Sequence, residues 1–176
     1  MKTLSDALRA LKSAQDLNEL KQLYRAFALQ FHPDHGGSEE AMKQINIQFS
    51  WCFEYLKNRQ NNEATRAHKA GNWAGYHTTT ETAEEFIDII SKLDKLPGLV
   101  VELCGRWLWI SGDTKKHREA LKACGCCWSP DKKMWYWRHI EDYCHKRNGN
   151  ILDIEEIRAR FGSQRMNREN YSVAVV

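Results

Sequence analysis

The chain has 176 residues, of which 42% are hydrophobic and 28% are charged, and its formal net charge at neutral pH is +3. This length suits one large domain or two small ones, and the hydrophobic content is ordinary for a soluble globular chain that can form a packed core. The first residues alternate charged and apolar side chains without a continuous apolar run. This predicts neither a signal peptide nor a membrane span, and hence a cytoplasmic protein with no membrane partner.

Two amphipathic helices are predicted at the start of the chain. Apolar residues recur at helical spacing from Leu4 to Leu11 and again from Leu20 to Phe31, so each segment presents one apolar stripe. Between them, Asp16 and Glu19 have the spacing of a capping box, which favours a new helix start. Pro33 ends the second helix, because the residue before a proline is disfavoured in the helical conformation.

A third helix is predicted after the turn that Gly36-Gly37 permits. Ser38 suits the N-cap position, and the apolar stripe from Met42 to Leu56 has the spacing of a helix that packs against the second one. The short connection predicts an antiparallel hairpin of these two helices. His32-Pro33-Asp34 would then lie at its tip.

The next segment, residues 61–80, is polar and rich in Asn and Thr, and it has no sustained apolar period. This composition predicts a linker. Beyond it, Thr82 and Glu85 form another capping-box pair, which predicts a helix whose apolar stripe ends at Leu93.

The C-terminal part changes to the period of strands, which predicts a small module built on β-hairpins. Its expected elements are strands 99–104 and 107–111, a helix that ends near Cys124, strands 126–128 and 134–138, and helices 140–146 and 153–161. Together these patterns predict an α+β fold class. The expected domains are a three-helix N-terminal domain (1–60), the polar linker (61–80), a Trp-rich module of two β-hairpins around a helix with flanking helices (81–162), and a flexible tail (163–176).

The tripeptide His32-Pro33-Asp34 carries the clearest functional signal. On its own it is ordinary turn chemistry, but here it lies between a helix with Tyr24-Arg25 and a helix with Lys43-Gln44-Ile45-Asn46. The segment LKQLYRAFALQFHPDHGGSEEAMKQINIQF resembles the J-domain (Hsp40) family. Within it, HPDHGGSEEAMK is similar to the short variant in viral tumour antigens and some bacterial proteins. The resemblance covers residues 3–60, a third of the chain.

The resemblance implies a co-chaperone. The family uses its His-Pro-Asp loop to bind an Hsp70 and stimulate ATP hydrolysis, so His32, Pro33 and Asp34 would contact a DnaK-like Hsp70. The basic face of the family's second helix would be supplied by Lys21 and Arg25. A proline-stiffened loop that presents imidazole and carboxylate groups suits docking. Hydrolysis takes place in the Hsp70, so the chain itself would not be an enzyme.

Three positions depart from the family pattern. Where the family often has Lys or Arg, this chain has Ala26, Gln30 and His35. Fewer charges predict slower and less salt-sensitive docking, or an Hsp70 with a different surface.

The Trp-rich module provides a second candidate surface. Side chains alternate along a strand, so Trp107 shares a face with Trp109, and Trp135 with Trp137. Between positions 115 and 138 there are seven basic residues and two acidic ones, and rings beside cations are typical of single-stranded nucleic-acid binding. The candidate client or nucleic-acid surface comprises Trp107, Trp109, Lys115, Lys116, Arg118, Lys122, Trp128, Lys132, Lys133, Trp135, Trp137 and Arg138. Packing of the tryptophans in a core and a peptide groove are the alternatives.

The cysteines and histidines of this module do not predict a metal site. Six cysteines in a chain without a secretion signal predict reduced thiols. Cys124-Gly125-Cys126-Cys127 lacks the paired C-x₂-C knuckles of structural zinc, and no phosphate loop or nucleophile–base pair stands out. The sequence therefore predicts no metal, no cofactor and no catalytic residue.

The leading hypothesis is a co-chaperone whose C-terminal module selects an unknown client or a location. The order WLWISGDT, HREALKACG, KKMWYW resembles a Trp-rich module found beside J-domains in bacterial and mobile-element proteins, and this resemblance implies no activity. The alternative is a nucleic-acid-binding, replication-associated protein of a mobile element or phage that recruits Hsp70 secondarily.

Overall fold

The computed structural model describes residues 3–72, 78–140, 152–161 and 163–166. The chain divides into two compact units, Met1–Ile87 and Asp88–Val176. The first is helical and the second contains an antiparallel sheet with helices, which confirms the predicted α+β class. Within the described ranges, no helix combines the length and the apolar composition that crossing a membrane requires.

The helical unit is built on an antiparallel pair of helices. Its helices are α1 (Leu4–Ser13), α2 (Leu17–Phe31), α3 (Glu39–Lys69) and the first part of α4 (Ala83–Asp94). Most of the predicted stripe of α2 and the stripe of α3 are buried and face each other: the rings of Tyr24 and Phe49 lie 4.2 Å apart between centroids, and both side chains are fully buried. Phe86 of α4 packs on the same two rings at 6.2 and 5.8 Å.

The long helix α3 corrects the predicted linker. It continues to Lys69, so residues 61–69 are helical rather than irregular. Further along, Thr79 is buried and is bound to α3 by two hydrogen bonds: the Asn61 amide donates to the Thr79 carbonyl at 3.0 Å, and the Thr79 N–H donates back at 2.8 Å. Residues 79–87 therefore belong to the helical unit rather than to a linker or to the C-terminal module.

Two predicted helix starts are present as reciprocal capping boxes. The Glu85 N–H donates to the Thr82 hydroxyl at 3.2 Å, while the Thr82 N–H donates to the Glu85 carboxylate at 2.9 Å. Asp153 and Glu156 exchange the same pair of bonds at 2.8 Å each. These side chains satisfy backbone N–H groups that have no partner within the helix.

The sheet unit contains one five-stranded sheet in the order β3-β4-β2-β1-β5. Its strands are β1 (Leu99–Cys104), β2 (Trp107–Gly112), β3 (Cys127–Ser129), β4 (Met134–Trp137) and β5 (Gln164–Met166). The predicted hairpins β1–β2 and β3–β4 are joined by pairing of β2 with β4. The helices that follow them are α5 (Arg118–Ala123) and α6 (Ile154–Phe161).

The end of the chain differs from the predicted flexible tail. Gln164–Met166 forms β5 and pairs antiparallel with β1, so this stretch is an edge strand. Sequence alternation over three residues is too short to distinguish a strand from a loop. The predicted helix 140–146 lies almost entirely outside the described residues, as does the rest of the tail.

Candidate functional site

The His32-Pro33-Asp34 tripeptide forms a closed turn between α2 and α3. Pro33–His35 is one turn of 3-10 helix, and His32 before it is extended at φ −64° and ψ 138°, as the residue before a proline favours. The His32 carbonyl accepts hydrogen bonds from the N–H groups of His35 and Gly37, both at 3.0 Å. The backbone of the loop is therefore fixed by bonds of its own.

The side chains of the loop differ in exposure. The Asp34 N–H donates to Nδ1 of His32 at 3.2 Å, so in this arrangement the neutral imidazole carries its proton on Nε2. The Asp34 side chain is 61% exposed and its Oδ2 lies 3.6 Å from the same Nδ1, whereas the His32 side chain is only 22% exposed. The loop thus presents Pro33 and the Asp34 carboxylate to solvent and uses His32 partly as an internal acceptor.

Gly36 and Gly37 make the turn possible for different reasons. Gly36 has φ +84°, in the left-handed region that glycine adopts without strain. A Cβ atom on Gly37 would lie 2.0 Å from the carbonyl oxygen of Phe31, the last residue of α2. Close backbone approach therefore requires glycine at position 37.

The hairpin behind the loop is held by a polar contact as well as by its apolar core. The Tyr24 hydroxyl of α2 donates to Oδ1 of Asn46 on α3 at 2.9 Å. Tyr24 is fully buried, so this bond lies in a low-dielectric environment where hydrogen bonds are strengthened. Both residues belong to the motif that resembles the J-domain family, and the bond gives them a structural role.

The structure corrects the prediction that Lys21 and Arg25 form a basic docking face. Lys21 is 1% exposed and Arg25 is 4% exposed. Nζ of Lys21 lies 2.5 Å from Oε2 of the buried Glu81 and 5.0 Å from the ring centroid of Phe86. The segment around Glu81 covers this side of α2, and both cations belong to the interior of the helical unit.

The partly exposed side of α2 carries almost no charge. Beyond Glu19 in the first turn, its partly exposed residues are Asn18, Gln22, Leu23, Ala26, Leu29, Gln30 and Phe31. The helix therefore offers apolar and amide groups beside the loop. Ala26 and Gln30, two of the positions at which the chain departs from the J-domain pattern, are among them.

The four strand tryptophans do not share one face of the sheet. In the β2–β4 register, Trp109 is opposite Tyr136, and Leu108 is opposite Trp137. Directly opposed residues lie on the same face, so Trp107 and Trp109 occupy one face and Trp135 and Trp137 the other. The sequence predicted each pair correctly, but strand alternation alone left the relation between the two hairpins open.

We call the first of these surfaces the Trp107 face; its residues are Glu102, Cys104, Trp107, Trp109, Met134 and Tyr136. The Trp107 and Tyr136 rings are stacked at 5.3 Å between centroids. Trp109 is 3% exposed and clusters with Cys104 and Met134, against which Ile154 and Ile157 of α6 also pack. Much of this face is therefore core, as the packing alternative predicted.

An ion pair fixes α6 to the Trp107 face. The Arg158 guanidinium donates to both carboxylate oxygens of Glu102, at 2.8 and 2.7 Å, and the Glu102 side chain is 2% exposed. The carboxylate and a second hydrogen bond to Glu155 raise the Arg158 pKa further above its usual high value. Glu102 is thus a structural residue of the sheet.

The basic residues of the candidate client or nucleic-acid surface lie in several places. Exposed members are Lys115, Lys116, Arg118, Lys122 and Lys133, and partly exposed ones are Lys132 and Arg138. Lys132 and Arg138 lie over rings of the Trp107 face, 5.6 Å from the Trp109 centroid and 5.7 Å from the Trp107 centroid respectively. On the opposite face, Trp128 is 46% exposed and meets Trp135 edge-on at 5.7 Å.

The described cysteines are free thiols, namely Cys52, Cys104, Cys124, Cys126 and Cys127. Burial raises the pKa of Cys104 and of Cys126 to about 12, with a further contribution at Cys104 from the nearby Glu102 carboxylate. Both are therefore neutral at physiological pH. In the part of the chain that the structure describes, no group of three His, Cys, Asp or Glu side chains is arranged to hold a metal ion; Cys144 lies outside it.

Comparison of the chain with protein-family models, curated proteins and solved structures gives no match. The functional assignment therefore depends on the residues of the loop and their geometry.

Proposed function

We propose that this chain is a J-domain co-chaperone that binds a DnaK-like Hsp70 in the cytoplasm and stimulates its ATP hydrolysis through His32-Pro33-Asp34. The observation that carries the proposal is the closed turn at the end of an antiparallel helical hairpin, with Pro33 and Asp34 exposed. A loop that is already ordered loses little conformational entropy on binding. Its order therefore favours docking.

Each residue of the loop has a distinct role in this proposal. Pro33 fixes the backbone, and His32 accepts the Asp34 N–H and holds the carboxylate outward. Asp34 then offers two acceptor oxygens to donors on the partner, and charge-assisted hydrogen bonds of this kind are the stronger ones. Bond cleavage takes place in the Hsp70, so none of these residues acts on ATP.

The remaining contact surface is the partly exposed side of α2. Because Lys21 and Arg25 are buried, Gln22, Ala26 and Gln30 would meet the partner in place of a basic face. Contact through apolar and amide groups depends on shape and hydrogen bonding rather than on long-range attraction. We therefore expect an Hsp70 contact that is specialised and weakly dependent on salt.

The proposal is tested by the affinity of the full chain for ATP-bound Hsp70, measured by biolayer interferometry with the wild type and with Asp34→Asn. The amide keeps the shape of the side chain but removes its charge, and we expect binding to weaken about tenfold or more. Glu39→Gln, which changes an exposed carboxylate at the start of α3, is the matched control and should bind like the wild type. Equal affinities of the wild type and Asp34→Asn would contradict the proposal.

For the sheet unit we propose selection of a client or a location, with single-stranded nucleic acid as the second candidate ligand. The latter is favoured by Arg138, which lies over the partly exposed Trp107 ring. Titration of a fluorescent oligonucleotide at low and at moderate salt distinguishes selection of a client or location from nucleic-acid binding. Salt-sensitive binding that Arg138→Gln weakens would support the nucleic-acid function, and absence of binding at low salt would dismiss it.

A further inference from the structure

Two groups of Asp34 lie beside the same ring nitrogen of His32. The Asp34 N–H donates to Nδ1 at 3.2 Å, and Oδ2 of the Asp34 carboxylate lies 3.6 Å from that nitrogen. The N–H needs the lone pair of a neutral ring, whereas the carboxylate needs a proton on Nδ1, so the two bonds exclude each other. The protonation state of His32 therefore decides which group of Asp34 the ring holds.

Protonation of His32 would exchange these contacts. A proton on Nδ1 removes the acceptor of the Asp34 N–H and supplies a donor to Oδ2, and a hydrogen bond between two charged groups is the stronger of the two. The carboxylate has to move by less than about 1 Å to reach hydrogen-bond distance. One of its oxygens is then bound within the loop and no longer available to a partner protein.

The other groups near His32 do not compete with Asp34 for the ring. The loop contributes one further titratable group, the His35 imidazole, whose ring centroid is 5.9 Å from that of His32. The last turn of α2 is uncharged, and the first charged residues of α3, Glu39 and Glu40, are exposed. Among the described residues, Asp34 supplies the one carboxylate at ion-pair distance from His32.

We propose that protonation of His32 converts the loop from a form that binds Hsp70 to a form that binds it weakly. The inference rests on the proposed co-chaperone function, because it concerns the same Asp34 carboxylate that would contact the Hsp70. Imidazole is the side chain that ordinarily changes charge between about pH 5 and pH 8, and the His32 side chain is partly exposed to solvent. Mild acidification should therefore weaken Hsp70 binding reversibly.

Nitrogen-15 NMR of the free full chain tests the exchange of contacts without any Hsp70. From about pH 8 to about pH 5.5, a range in which carboxylic acids in general stay ionised, the Asp34 amide should shift with the midpoint of the His32 ring protons. In His32→Asn, whose side-chain oxygen accepts the N–H two residues on but does not titrate, the Asp34 amide should not shift. His35→Gln is the matched control and should keep the coupled shift. An Asp34 amide that does not follow the His32 titration would overturn the proposal.

Biolayer interferometry with ATP-bound Hsp70 supplies the second measurement. Between about pH 7.5 and about pH 5.5, the affinity of the wild type should fall about fivefold, because one charge-assisted hydrogen bond to the partner is lost. The midpoint should be the one that NMR gives for His32, and His35→Gln should lose affinity to the same extent. A constant affinity, or a loss with another midpoint, would overturn the inference.

Failure of the co-chaperone function is recognised separately. A wild type that does not bind Hsp70 even at neutral pH would contradict that function and this inference with it, whatever the NMR titration shows. Binding at neutral pH without the acid-dependent loss would contradict this inference alone.

Discussion

Lys21 and Glu81, sixty residues apart, form an ion pair in which both side chains are 2% exposed. The pair joins α2 to the segment that precedes α4. The Phe53 and Phe86 rings lie 5.7 and 5.0 Å from the ammonium, and the pair is shielded from water. The contact therefore adds the segment around Glu81 to the helical unit. No apolar period in that segment predicts that it is part of the core.

Removing one partner of this pair should destabilise the protein strongly. Glu81→Gln leaves the Lys21 ammonium buried without its counter-charge, which costs about 3–5 kcal/mol of unfolding free energy. Urea denaturation followed by circular dichroism measures this loss. Glu84→Gln, an exposed carboxylate in the first turn of α4, is the matched control and should change the stability by less than about 0.5 kcal/mol.

The same pair makes a prediction for the double variant. Lys21→Met with Glu81→Gln removes both charges from the interior, so its loss of stability should be smaller than that of Glu81→Gln alone. Additive losses for the two substitutions would show that Lys21 and Glu81 do not interact energetically.

Gly37 should tolerate substitution less well than Gly36. Gly37→Ala places a methyl group 2.0 Å from the Phe31 carbonyl oxygen, so the end of α2 must move. Gly36→Ala meets no atom within 4 Å and strains only its left-handed backbone, at a cost of about 1 kcal/mol. Thermal denaturation of both variants should therefore rank Gly37→Ala as the less stable. The reverse order would show that the turn differs from the one described.

The buried thiols should make the sheet unit sensitive to alkali. The pKa of Cys104 and Cys126 is about 12 in the folded chain, mainly because of burial, against an ordinary value of 9.0. As the pH rises from about 9 to about 12, the unfolded chain loses these protons while the folded chain keeps them, so stability falls across this window. Well below pH 9 the two states bind the same protons and the thiols add no pH dependence.

Urea unfolding at pH values on either side of 9 measures this effect. Cys104→Ala should lower the stability at every pH, because it leaves a small cavity, but it should flatten the alkaline decline. Cys127→Ala, which removes an exposed thiol, is the control. An alkaline decline that is equally steep with and without Cys104 would disprove the role given to its burial.

The uncharged side of α2 predicts that association with Hsp70 depends weakly on salt. Its rate constant should change less than about threefold between low and physiological ionic strength, whereas electrostatically steered complexes change far more. Ala26→Lys with Gln30→Lys restores the charges that the family often has, and should both speed association and make it salt-dependent. Stopped-flow fluorescence at two salt concentrations measures both rates. Strong salt dependence in the wild type would contradict the uncharged contact.

Local pattern was sufficient to predict much of the helical unit. The apolar stripes of α2 and α3, the N-cap at Ser38 and the reciprocal caps at Thr82 and Asp153 depend on residues within a few positions of each other. The extension of α3 to Lys69 was missed because its last three turns are almost wholly polar. Of their residues only Ala64 is buried, so no apolar period marks them as helical.

The features missed in the candidate site depend on distant parts of the chain. Lys21 and Arg25 have the spacing of an exposed basic face, but both are buried, and Lys21 is held by Glu81, sixty residues away in the sequence. Likewise, alternation within β2 and β4 gave each tryptophan pair, but the register that opposes Trp109 to Tyr136 joins two separate hairpins. Sequence spacing within one element cannot fix contacts between elements.

The most direct test of the central claim is single-turnover ATP hydrolysis by a DnaK-like Hsp70 in the presence of this chain. The wild type should accelerate hydrolysis, and His32→Gln should abolish most of the acceleration, because it removes the imidazole that accepts the Asp34 N–H. His35→Gln, which changes the neighbouring imidazole outside the tripeptide, should retain the acceleration. Equal rates with the wild type and with His32→Gln would contradict the co-chaperone function.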